Sequence, residues 1–170
     1  MKYIGCISFF AVLFFSFGFS KSFKKDKILK IKLEYNSMKP SAVVKKGESH
    51  ETIECYYDSV DSKYKITVTQ NKKSYTKKTA EINVNEWNAL QKVIKNNGIL
   101  QWQKNEFHND TMLDGSNLRL TFTLPNDISK KYSWLNSNPA NAGDIMKYMI
   151  ELVKKNIPGI GYVYLLNAVS

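Results

Sequence analysis

Residues 28–35 read Ile-Leu-Lys-Ile-Lys-Leu-Glu-Tyr, and the fold follows from that alternation. Leu29, Ile31, Leu33 and Tyr35 fall on one side of an extended chain, and Lys30, Lys32 and Glu34 on the other, because successive strand side chains point to opposite faces. Such a strand hides one face and wets the other. A second strand is predicted over 52–57. The chain then turns through Ser59-Val60-Asp61-Ser62 and returns over 63–70 with Tyr64, Ile66 and Val68 inward. Residues 37–49, with Pro40 and Gly47, connect the first two strands, and Asn71-Lys72-Lys73 turns into a weaker strand over 75–82. The four strands make an antiparallel meander.

The period then shifts from two to about 3.6, with Trp87, Leu90, Val93 and Ile94 on one helical face. Asn83 and Glu86 occupy the two positions of a capping box, and Gly98 supplies a left-handed stop. Residues 100–107 hold a short extended piece, and 108–117 a polar loop. Alternation returns at Leu118, Leu120, Phe122 and Leu124. Pro125-Asn126-Asp127 turns the chain into a hairpin partner over 130–135, with Tyr132 and Trp134 on one face. A second helix is predicted with Asn138 as cap and Pro139 first. Its apolar stripe is Ala142, Ile145, Met146, Met149, Ile150 and Val153, and Asn156-Ile157-Pro158-Gly159 ends it. Residues 161–166 are apolar enough for a closing edge strand or a tail laid on the core. Strands that are apolar on one side need cover on that side only. The predicted architecture is an α+β two-layer sandwich, a mainly antiparallel sheet of about six strands with two helices packed on one face.

Upstream, Lys2 precedes an uncharged apolar run over 4–19, Gly18 and Ser20 are small, and the chain turns polar at Lys21. That pattern is a secretory signal peptide over residues 1–20. An uncleaved anchor formed by 4–19 is the alternative, although about 16 residues fall short of the ~20 that span a bilayer. Residues 21–27 read as a disordered basic leader and 28–170 as one domain. The expected address is periplasmic or secreted, with no membrane span after cleavage. Cys6 lies at the start of the apolar run rather than after it, so it is not a lipoprotein acceptor and leaves with the peptide.

The chain carries 25 basic and 15 acidic residues, a formal charge of +10. Removing residues 1–20 takes away Lys2 and no acid, leaving +9. Arg119 is the only arginine, which argues against specific nucleic-acid recognition, where the guanidinium fork reads phosphates and guanine edges. A lysine-rich surface instead gives solubility, or loose and salt-screened attraction to anionic lipid or polysaccharide. With Cys6 gone, Cys55 stands alone and forms no internal disulfide. Its place in the Ile53, Cys55, Tyr57 alternation puts it on a buried side.

No nucleophile elbow, phosphate loop, dinucleotide fingerprint, H-E-x-x-H or C-x-x-C occurs in the sequence. His50, Glu51 and Glu54 would gather on a helix, but in a strand His50 and Glu54 lie about 13 Å apart, too far to share an ion. The loop 108–117 is rich in oxygen ligands but lacks the spacing of an EF-hand. It also carries the acceptor triplet Asn109-Asp110-Thr111. No metal or cofactor is implied. Trp87 and Trp134 fall on inward faces, whereas no period fixes Trp102, which is either a rim residue or an exposed stacking platform.

The functional expectation is an exported, non-enzymatic binding domain for another protein or an anionic cell-envelope component. Its candidate binding residues are Lys30, Lys32, Lys63, Lys65, Arg119 and Trp102, on an open basic sheet face and in the 100–117 region. The alternative is a small secreted hydrolase or lyase drawing acid–base groups from His108, Asp110 and Asp114, with Tyr56 as a further candidate. A secreted inhibitor or immunity-type protein shares the binding-domain expectation.

Overall fold

The computed structural model describes residues 27–38, 50–71, 75–108, 115–135, 137 and 140–160. Strands β1 (Lys30–Met38), β2 (His50–Asp58), β3 (Lys63–Asn71) and β4 (Tyr75–Ile82) precede helix α1 (Val84–Asn97). Strands β5 (Glu106–His108), β6 (Gly115–Thr123) and β7 (Ser129–Leu135) follow, then helix α2 (Gly143–Asn156). The seven strands form one sheet in the order β4-β3-β2-β1-β6-β7-β5. Every neighbouring pair is antiparallel except β5 with β7. This is the expected two-layer α+β sandwich, with one strand more than the alternation revealed.

Register decides which side chains share a face. Ile31 pairs with Cys55 and Phe122, and Leu33 with Ile53 and Leu120. Cys55 and Ile53 in turn pair with Ile66 and Val68. All of these are buried, in one core cluster with Trp87, Leu90 and Ile94 of α1 and Ile145, Met146, Met149 and Val153 of α2. Helix α2 packs against β2, β3 and β4, and α1 packs against α2. Tyr64 stacks on Trp87 at 5.0 Å. Trp134 is buried as expected and stacks on Phe107 at 5.4 Å.

The start of α1 bears out its sequence signals. Asn83 Oδ1 accepts from the Glu86 N–H, and a Glu86 carboxylate oxygen accepts from the Asn83 N–H. Gly98 ends the helix at φ 69°, a left-handed conformation that costs glycine little, and its N–H donates to the Ile94 carbonyl.

Three expectations need correction. First, α2 starts at Gly143, after a 3-10 turn over Ala140–Ala142. The cap position is Ala142, which offers no side-chain hydrogen bond, while Asn138 and Pro139 lie outside the described residues. Second, residues 99–101 form a 3-10 turn, and only Glu106–His108 is extended. Three residues are too few to display a period. Third, Ile28 is buried although Leu29 is only half-buried. Leu29 joins the ladder through its N–H to Thr123, while Ile28 sits just before the strand and is not bound by its alternation. Residues 21–26 of the 21–27 leader, most of the 37–49 connection and the tail over 161–166 lie outside the described residues.

Cys55 is buried as expected. Burial, with a smaller contribution from the Glu54 charge, pushes its thiol far above the usual cysteine range. The native protein is expected to resist iodoacetamide at mildly alkaline pH and to react fully once denatured. Rapid labelling of the native state would contradict this placement.

Candidate functional site

The sheet face turned away from the helices carries the lysines that the alternation assigned to it. Lys30 and Lys65 both stand opposite Tyr56, Lys63 lies opposite Asp58, and Arg119 lies opposite Glu34. The charge of the four lysines, however, is engaged. Lys30 Nζ is 2.8 Å from Glu54, Lys32 is 2.9 Å from Glu34, and Lys63 is 2.6 Å from Glu81. Lys65 holds both Asp61 and Asp58.

The protonation behaviour of these groups follows from the contacts. Hydrogen bonds to Asp61 and then Asp58 raise Lys65, and hydrogen bonding to Glu81 raises Lys63. The bond from Lys65, followed by the Val60 N–H, lowers Asp58. The face is also tighter than alternation predicts. Thr67 is buried there, with its hydroxyl 2.9 Å from that of Thr79 and 3.5 Å from the Tyr56 hydroxyl. Cross-strand ion pairs and hydroxyl pairs of this kind stitch a sheet together. They engage the four lysines, whereas Arg119, Lys77 and Lys131 of the same face make no ion pair among the described residues.

The other expected residues are dispersed. Trp102 is half-buried, edge-on to Phe107 at 6.1 Å and to Tyr132 at 5.9 Å. It therefore packs on the core rim. His108 is exposed on the β5 edge, its Nε2 3.5 Å from Glu106. Asp110 and Asp114 lie outside the described residues. His50 shares the open face with Glu54, bound to Asn36 and Thr52 instead, while Glu51 is buried on the opposite face with Gln70. Among the described residues no three His, Cys, Asp or Glu side chains are placed to hold a metal ion.

Positive charge without a carboxylate partner among the described residues collects elsewhere. Helix α1 ends beside the start of β1 and the β6–β7 turn, where Gln91 Nε2 reaches the Ile28 carbonyl at 3.4 Å and Lys130 Nζ donates to the Leu100 carbonyl. Between these segments runs a groove of about 1050 Å³. Lys27, Lys92, Lys95 and Lys130 line it, over a floor that includes Ile28, Ile94 and Leu124, and no carboxylate is part of its described wall. None of the four lysines makes an ion pair among the described residues. By contrast, a smaller cleft between the helices, about 420 Å³, mixes Lys147 with Asp144 and Glu151.

Sequence reasoning missed this quartet. Lys92 and Lys95 are three apart on a helix that is polar at both positions, a visible signal. Lys27 and Lys130 join them only through the sheet order, which no local pattern encodes. The chain matches no known protein-family model and no curated protein. Among the described residues no helix is long and apolar enough to cross a membrane.

Proposed function

We propose that this chain is an exported, non-enzymatic domain that binds an anionic component of the cell envelope through the groove between the end of α1 and the β6–β7 turn. One observation carries the reading: Lys27, Lys92, Lys95 and Lys130 surround a concave site with no carboxylate among its described residues, whereas Lys30, Lys32, Lys63 and Lys65 each hold one. A concave wall of one charge sign focuses the field on a ligand of the other sign. Paired charges largely cancel beyond their immediate contact. The export signal over residues 1–20 is part of this proposal, and it sets the envelope as the place where the partner is met.

Two lysine quartets changed to glutamine separate the groove from the sheet face. On a heparin column, which stands in for an anionic envelope polysaccharide, the Lys27/Lys92/Lys95/Lys130 variant is expected to elute at much lower salt. Its affinity should fall on the order of a thousandfold, taking about 1 kcal/mol for each lysine near an anionic surface. The Lys30/Lys32/Lys63/Lys65 variant should elute close to the parent chain. The opposite order would return the binding site to the sheet and sink the groove.

A further inference from the structure

The register gathers four chain segments at one end of the sheet. Lys30 pairs with both Tyr56 and Thr123, Tyr57 with Tyr64, and Tyr64 with Ile82. The start of β1, the β2–β3 turn, the β6–β7 turn and the β4–α1 junction therefore emerge together. Among the described residues, five large apolar side chains are exposed, and four of them lie here: Tyr57, Val60, Val84 and Ile128. The fifth, Tyr75, is at the far end. Val60 is 94% exposed and Ile128 53%, each beside a turn tip. The two turns are separated by three interstrand spacings, about 14 Å.

Single exposed apolar residues need no explanation. Four on one rim, beside the lysine groove, do. Water-facing valine and isoleucine at protruding tips contribute nothing to the core, whereas they gain from entering the boundary between headgroups and acyl chains. The neighbouring ammonium groups are placed to meet anionic headgroups as the tips enter. The carboxylates of this rim are mostly engaged: Asp58 and Asp61 hold Lys65, and Glu81 holds Lys63. Asp127, in the β6–β7 turn, makes no ion pair among the described residues and opposes the lysines in part.

Resting on the reading of the groove as an anion site, we infer that this end of the sheet docks on an anionic lipid surface. Lys27, Lys92, Lys95 and Lys130 bind the headgroups, and Val60 and Ile128 enter the interface between them. Contact is peripheral. High salt releases it, because the lysines act through screened charge.

The test uses the chain from Lys21, which keeps every core residue from Ile28 to Ile160, and co-sedimentation with vesicles of phosphatidylcholine with or without phosphatidylglycerol. Binding is expected only with phosphatidylglycerol and should fade as salt rises. Val60→Ser with Ile128→Ser, which removes the apolar tips without changing charge, should weaken it at least tenfold while leaving retention on heparin intact, and the Lys27/Lys92/Lys95/Lys130 glutamine variant should weaken both. All six positions are at the surface or on the groove wall, and unchanged circular dichroism checks that the variants fold. Equal binding to both vesicle types, or no loss with Val60→Ser and Ile128→Ser, overturns the lipid assignment. Retention on heparin through the groove without vesicle binding overturns it as well, in favour of a polyanion. Loss of the quartet's effect on heparin overturns the groove itself.

Discussion

Trp134→Ala is expected to destabilise the fold by about 3–5 kcal/mol, a cost typical of emptying a buried tryptophan site. Trp134 is 1% exposed on the apolar face of β7, pairs across the sheet with Leu118 and stacks on Phe107 with an interplanar angle of 7°. That stack matters beyond its area. Strand β5 is held to the sheet through only three register pairs with β7, so Phe107 is its principal tie to the core. Without the indole, Phe107 loses its platform and Trp102, edge-on to Phe107, loses cover. The melting temperature should fall roughly 10–20 °C for a chain of this size, and the fluorescence of Trp102 should shift to the red before the main transition. A loss under ~1 kcal/mol, or unchanged emission, would show that the aromatic stack does not anchor the edge.

The second large effect is expected at Glu86, where three independent contacts meet. One carboxylate oxygen accepts from the Asn83 N–H at 2.8 Å. The other accepts from Lys155 Nζ at 2.8 Å and from Asn156 Nδ2 at 3.3 Å, tying the start of α1 to the end of α2. Glu86→Ala removes the return half of a capping box and leaves the partially buried Asn83 N–H without its acceptor, for a loss of about 2 kcal/mol. The Lys155 ion pair adds little, since that side chain is 68% exposed and water screens it.

The sign with pH follows from the balance on the carboxyl. Burial pushes its pKa up, but the hydrogen bonds from Lys155, Asn83 and Asn156 outweigh burial and hold it below the ordinary glutamate value. A carboxyl depressed in the folded state contributes its stability above the unfolded value, about 4.3, and loses it as pH falls through the folded one. Glu86→Gln should therefore show a shallower loss of stability in acid than the parent chain. Parallel acid limbs would contradict the assignment.

How far the sequence carries can be judged element by element. The alternation of 28–35 and of 118–124 placed Ile31, Leu33, Leu120 and Phe122 on one face, because burial on one side of a strand writes a period of two into the chain. The Asn83, Glu86 and Gly98 signals survived folding because each acts through backbone groups within a few residues. The start of α2 did not, since a 3-10 turn precedes the helix and its cap position falls on Ala142, which has no side-chain acceptor. Strand β5 escaped because three residues carry no period, and its parallel partner is set by distant chain.

The candidate site was the least legible. Lys30, Lys32, Lys63 and Lys65 did land on one face as a group, but the alternation does not say whether a lysine will find a carboxylate. Cross-strand register set Glu54 diagonally from Lys30 and Glu81 diagonally from Lys63, within reach of the long lysine side chains. The groove quartet needed more still, because Lys27, Lys92, Lys95 and Lys130 come from three separate elements that only the strand order brings to one place.

The central claim is that binding belongs to one end of the sheet and not to its exposed face. Backbone amide spectra of the chain, recorded as phosphatidylglycerol-containing bicelles are added, test it directly. Broadening confined to residues 27–29, 59–62, 91–101 and 124–130, with 52–56, 65–69 and 117–121 left sharp, is the result this account predicts. Broadening centred on those sheet-face residues, or spread evenly along the chain, would contradict it.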